Sequence, residues 1–189
     1  MIKILLYPLL ILSSLTGQKH TVKCEFKTSM GNFTIELFPH NAPVTTDNFL
    51  KYADAGLYSG TDFFRVQNLK NQEGQPVKIE IIQGGSLDSV KCFPPIQHEN
   101  TEQTKILHKD GVISMARGKT GTATSSFFIC INDQPELDFG GKRNPDGQGF
   151  AAFGKVVEGM DVVRKIYSQP FDGSTFNPKI LIHSVSRKN

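Results

Sequence analysis

The chain has no tryptophan, only three cysteines, no long basic run and no apolar run long enough to cross a bilayer. Each shortage excludes something. Without tryptophan, the fourteen phenylalanines must supply most of the large core volume. Three cysteines (Cys24, Cys92 and Cys130) are an odd number, so no complete disulfide framework can form. Cys24 and Cys92 are left free to pair in an oxidising compartment. The formal net charge of +3 is spread along the chain, too small and too dispersed for the clustered phosphate contacts of a nucleic-acid partner. The five histidines show no H-x-x-x-H spacing and none pairs with a cysteine at ligand spacing. No metal site and no cofactor are therefore expected.

What is present begins with an export pattern. Lys3 is followed by the apolar run Ile4 to Leu12 and by small or polar residues up to Gly17. The run is shorter than the ~20 apolar residues of a membrane span. A buried first strand or helix is the alternative, but Pro8 and the abrupt change to "GQKHTVKCEF" argue against it. Residues 1–17 are read as a signal peptide cut near Thr16–Gln18, and residues 18–189 as one domain. The expected product is exported, periplasmic or secreted, with no stable membrane insertion.

The domain reads mainly as strands. Phe33, Ile35 and Leu37 alternate with polar neighbours, as in a half-buried strand. Pro43 suits a first helical position, with Val44, Asn48, Phe49, Tyr52 and Ala53 near one face and Gly56 at the end. Strands are expected in "TDFFRV", "VKIEIIQGG", "GVISMAR", "SSFFICI", "FAAFGKV" and "PKILIHSVS", and a second helix in "EGMDVVRKIYSQP". Residues 67–76 and 139–149 read as loops. Many strands with two isolated helices point to a closed or nearly closed antiparallel barrel with helices over its openings.

Two catalytic motifs fail. "GKT" at Gly118–Thr120 would need a glycine at position 113 to be a phosphate loop, and that residue is Ile113. Ser125 and Ser126 have no nucleophile elbow and no histidine near in sequence. An interior apolar ligand, which fourteen phenylalanines would suit, requires an unfilled barrel.

Motif order is more specific. "GNFTIELFPHNAPVTTDNFLKYADAGLYSGTDFFRV", "IIQGG" at 81–85, "GVISMA" at 111–116, "SSFFI" at 125–129 and "FGKVVEGMDVV" at 153–163 follow one another. Together they cover about residues 23–187 and resemble the cyclophilin family of peptidyl-prolyl cis/trans isomerases, in an exported, bacterial-like form. The resemblance implies a mainly β fold: an eight-stranded antiparallel β-barrel capped by two α-helices, with its groove on the outer face. It implies X-Pro rotation in proline-containing polypeptides, without cofactor, by a monomer. Arg65 matches the family's catalytic arginine, Phe128 the ring under the proline, and Gln83 the amide that orients the arginine. Ala116 and Arg117 match the rim that pairs with substrate backbone, and Leu137 an apolar wall. Phe64, Ile81, Met115, Ser126 and Phe150 complete the substrate-binding set. The departures are Ser126 for glutamine, Glu80–Ile81 for Phe-Met, Arg117 for asparagine, Phe150 for histidine and Glu136 at a common tryptophan position. The missing indole donor implies weak binding of cyclosporin. The interval from Arg65 to Gln83 is about twice the usual length, and its segment 67–78 is expected to form a mobile flap that adjusts client choice. A proline-peptide-binding module or chaperone with little turnover is the alternative function.

Overall fold

The computed structural model describes residues 21–188, so the signal reading lies outside the described residues. In chain order the elements are β1 (Val22–Thr28), β2 (Gly31–Leu37), α1 (Pro43–Asp54), β3 (Asp62–Gln67), β4 (Ile81–Gly84), α2 (Thr101–Thr104), β5 (Val112–Met115), β6 (Phe127–Cys130), β7 (Ala151–Glu158), α3 (Met160–Tyr167), β8 (Phe171–Asp172) and β9 (Thr175–Arg187). The sheet runs β1-β2-β7-β5-β6-β4-β3-β9, every pair antiparallel, and β1 pairs with β9 to close it. Eight strands make the barrel, while the two-residue β8 only folds back on the start of β9. Closure leaves no long unpaired strand edge among the described residues.

The structure adds one helix to the two expected. Helix α2 is a single turn held by a reciprocal cap: the Asn100 side chain accepts from the Gln103 N–H while the Gln103 side chain accepts from that of Asn100. The strand expected over 77–85 starts only at Ile81, and the last strand starts earlier, at Thr175. Helix α1 begins at Pro43 as its sequence suggests, but Val44 is 38% exposed and Thr45 takes the buried face instead. The reason is tertiary. The Glu99 carboxylate reaches the helix start and accepts from the N–H groups of Val44 and Thr45 and from the Thr45 hydroxyl, at 3.2, 2.8 and 2.7 Å. This supplies the cap that Ala42 cannot.

The barrel is filled. Phe26, Phe33, Phe49, Phe63, Phe127 and Phe153 pack inside it with Tyr58 and aliphatic residues from every wall. Phe127 stands at the centre of this cluster, with its ring centroid 5.4 to 5.9 Å from those of Phe26, Phe49, Tyr58 and Phe63. Each such pair contributes ~0.5–1.5 kcal/mol beyond the burial of area. An interior ligand is excluded by this packing. Gly85, at φ +71°, lets the chain leave β4 against the cluster; a Cβ there would lie 2.5 Å from the Phe127 ring.

Cys24, Cys92 and Cys130 are all free thiols. Cys24 belongs to the barrel core, and burial pushes its thiol up to about 11. Cys130 is fully buried on the other face of the sheet, and burial raises its thiol well above the usual range. Both therefore act as small apolar residues and not as nucleophiles.

Candidate active site

The outer face of the barrel carries the site. Side chains alternate across a strand, so Phe127 enters the core and Phe128 faces outward. Strand register then places four residues in one row: Arg65 is opposite Gln83, Gln83 opposite Phe128, and Phe128 opposite Ser114. A bulge between Phe63 and Arg65 keeps both Phe63 and Val66 in the core while turning Arg65 outward. Around this row lies a groove of about 190 Å³. Its apolar floor and walls are Ile79, Ile81, Phe128, Leu137 and Phe150, with Ala116 at the rim. The Phe150 ring stands edge-on to Phe128, at 5.2 Å and 89°. The polar part is Arg65, Gln67, Gln83, Arg117, Arg143 and Asn144.

The structure therefore brings together Arg65, Ile81, Gln83, Ala116, Arg117, Phe128, Leu137 and Phe150 from the residues singled out in the sequence. Three others stand elsewhere. Met115 is wholly buried in the barrel core, because it alternates with Ala116. Phe64 sits half-buried at the bulge and does not line the groove. Ser126 contributes its backbone carbonyl to the Ala116 N–H at 2.9 Å, with its side chain outside the groove.

Arg117 is no free cation. Its side chain is 2% exposed and donates twice to the Asp146 carboxylate, at 2.7 and 2.9 Å, and once to the Gly149 carbonyl. It also lies 5.2 Å from the Phe150 ring centroid, so it steadies that wall. Gly149 makes this closure feasible: at φ +60°, a Cβ there would meet the Leu137 and Asp138 backbone at 2.6 Å. Hydrogen bonding from Arg117, aided by the Gln148 N–H and Thr120 hydroxyl and opposed by partial burial, holds the Asp146 carboxyl well below its usual range. A depressed folded-state value means that the stabilisation is complete above the unfolded-state value, ~3.9, and is lost as pH falls towards the folded one. The melting temperature of wild type should exceed that of Asp146→Asn by a constant margin from neutral pH to about pH 4, then converge below it. Thermal unfolding monitored by circular dichroism checks this, and a margin unchanged down to about pH 2 would refute it.

Sequence reasoning missed a buried network beneath the floor. His108 Nδ1 lies 2.7 Å from Asp138 and Nε2 lies 3.0 Å from the Ser114 hydroxyl. These are the distances of a Ser-His-Asp triad, but Ser114 is 0% exposed and does not line the groove. No reacting atom can reach it. The network instead supports Phe128, against which His108 stacks at 5.9 Å and 15°. Gln67, Arg143 and Asn144 were also missed, since they lie at or within segments that read as solvent loops, and so was Ile79, which lies in the expected strand 77–85 ahead of the matched motif at 81–85.

The long segment after β3 is not a free flap. Gln72 is buried and bonds the Asn68 carbonyl and both backbone groups of Ile79. Asn71 bonds Val66 and Gly173, and Arg143 bonds the Val77 carbonyl at 2.7 Å. The segment is tied to the barrel at these points, and of its residues Gln67 lines the groove, with Ile79 just beyond its end.

Residues 23–187 match the family model described as "Cyclophilin type peptidyl-prolyl cis-trans isomerase/CLD". The chain belongs to the cyclophilin family. Among relatives, peptidyl-prolyl cis-trans isomerase A of Dickeya dadantii is 38% identical over 144 residues, covering 74% of this chain and 67% of that protein. Peptidyl-prolyl cis-trans isomerase B of Escherichia coli is 36% identical over 146 residues, covering 75% and 81%. A Cryptosporidium parvum cyclophilin-type isomerase, solved in the presence of the dipeptide Ala-Pro, superposes with a TM-score of 0.69 at 24% identity, covering 88% of this chain and 99% of that one. That likeness shows the shared barrel. With family and relatives together, the activity of this cyclophilin is peptidyl-prolyl cis/trans isomerisation.

Proposed function

We propose that this cyclophilin assists the folding of exported polypeptides by rotating their X-Pro bonds in the groove around Arg65. One observation carries the site assignment: a cation without a carboxylate partner among the described residues stands beside an apolar pocket floored by Phe128. Amide resonance imposes a barrier of ~18–20 kcal/mol on the rotation. As the bond twists, the proline nitrogen becomes pyramidal and regains its lone pair. The proline ring rests on Phe128 between Leu137 and Phe150, which fixes the bond without adding water. The Arg65 guanidinium then stabilises electron density that exists only in the twisted state, so it lowers the barrier instead of merely tightening binding. No covalent intermediate is formed. Among the described residues no helix is long and apolar enough to cross a membrane.

The export setting rests on the pattern of residues 1–17. A proline-peptide isomerisation assay on the protein, with fractionation of the cell that makes it, tests both parts. A protein that binds X-Pro peptides without speeding their rotation would be the binding module instead, and retention in the cytoplasm would refute export.

Weak cyclosporin binding is part of the same reading. The Glu136 carboxylate accepts from the Lys142 N–H at 2.8 Å and, when ionised, has no proton to donate to a drug. One lost donor and lost apolar contact amount to ~1–3 kcal/mol, roughly ten- to a hundredfold in affinity. Titration should show Glu136→Trp binding cyclosporin more tightly than wild type. Equal affinities would remove Glu136 from the drug-binding position.

A further inference from the structure

Among the described residues three arginines line the groove and no carboxylate does. Arg117 is neutralised by Asp146, but Arg65 and Arg143 form no ion pair among the described residues. Arg143 donates to two neutral acceptors, the Val77 carbonyl at 2.7 Å and Gln67 Oε1 at 3.0 Å. These bonds orient the guanidinium without cancelling its charge. Two bonds also leave donors unspent on a group that has five. Burial, and next the positive charge of Arg65, push the Arg143 guanidinium below its ordinary range, so the folded protein holds this cation at a cost. A second observation points to the same spot. The buried Asn144 Nδ2, from the adjacent residue on the same groove wall, has no hydrogen-bond partner among the described residues. Native structures rarely leave such donors unpaired without a reason.

We propose that Arg143 and Asn144 form an anion subsite that selects X-Pro segments carrying an acidic or phosphorylated side chain close to the proline. An anionic oxygen there pairs the free guanidinium donors and satisfies the Asn144 amide together. The spacing follows from the sheet. Gln67, which holds Arg143, lies two residues from Arg65 on β3 and on the same face, so the two positions stand about 7 Å apart. An extended substrate covers that distance in about two residues. The subsite thus acts on a side chain near the proline and not on the proline itself, and it deepens the isomerase reading on which it rests.

The test uses the protein and X-Pro peptides of equal length with Ala, Glu, Lys or phosphoserine at each of the two residues flanking either side of the proline. The readout is the ratio of kcat/KM values, with the corresponding ratio of dissociation constants from calorimetry. At low salt the best-placed Glu or phosphoserine peptide should exceed its Ala counterpart by about tenfold, and Lys should fall below Ala. The ratio should shrink as salt is raised. Arg143→Gln should bring the ratio close to one, while Arg143→Lys keeps most of it. A higher value for phosphoserine than for Glu assigns the site to phosphorylated clients, and the reverse assigns it to acidic ones. A wild-type ratio near one at low salt overturns the proposal, as does a preference that survives Arg143→Gln and so belongs to Arg65. Should Arg143→Gln fail to fold, the Lys variant and the salt dependence of wild type decide. Should no peptide be turned over, the isomerase reading fails by itself, and the binding ratios still judge the subsite.

Discussion

Arg65→Ala should lower kcat/KM for X-Pro peptides by two to three orders of magnitude, ~2.7–4 kcal/mol, while the protein stays folded. The size follows from what the residue faces. Only a group that interacts more strongly with the twisted amide than with the planar one changes the barrier. Arg65 is the cation in the Gln83–Phe128 row, whereas Arg143 is tied to Gln67 and Val77 one row away and cannot take its place. Folding should be spared because Arg65 has no carboxylate partner among the described residues whose charge would be stranded by its loss. Arg65→Lys should recover little, since a single ammonium on a flexible stem lacks the planar fork. Exchange-rate measurement on a cis/trans peptide, with urea unfolding alongside, checks both halves. Activity within a few-fold of wild type at equal stability would remove Arg65 from catalysis.

Two adjacent phenylalanines should fail in opposite ways. Phe127→Ala opens a cavity among four aromatic rings in the barrel core, and losses of ~3–5 kcal/mol are usual for such a change. That is a large share of a typical folding free energy of ~5–15 kcal/mol. Phe128→Ala removes the floor of the groove. It also loses the stack on His108 and the edge contact with Phe150, so some stability goes with it. Its main effect should be on function: about ten- to a hundredfold in kcat/KM, because burying the proline ring accounts for ~1.5–3 kcal/mol of binding. Urea midpoints and peptide kinetics on the two variants separate the cases. If Phe128→Ala is as unstable as Phe127→Ala and its folded fraction turns over normally, Phe128 is a core residue only.

The sequence by itself determined the local features. Period-two patterns announced the strands, Pro43 and Gly56 bounded the first helix, and the order of motifs named the family and eight groove residues. These signals are local because alternation, helix boundaries and short motifs depend on neighbours a few residues away. Other features depend on residues far apart in the chain, and only the tertiary structure decided them. The Glu99 carboxylate caps a helix 55 positions upstream and exposes Val44. Asp138 reaches His108 across 30 positions, turning a triad-like cluster into a buried support. Met115 belongs to the core and Ala116 to the rim because register, not composition, sets which face each takes. The segment expected as a flap is tied down by Gln72 and Arg143, which bond its backbone groups, a pairing over 66 positions in the case of Arg143. No pattern in "FGGKRNPDGQG" marks Arg143 as anything but a solvated loop residue; its place in the groove arises only when the loop folds back on the barrel and the guanidinium must find its donors' partners there.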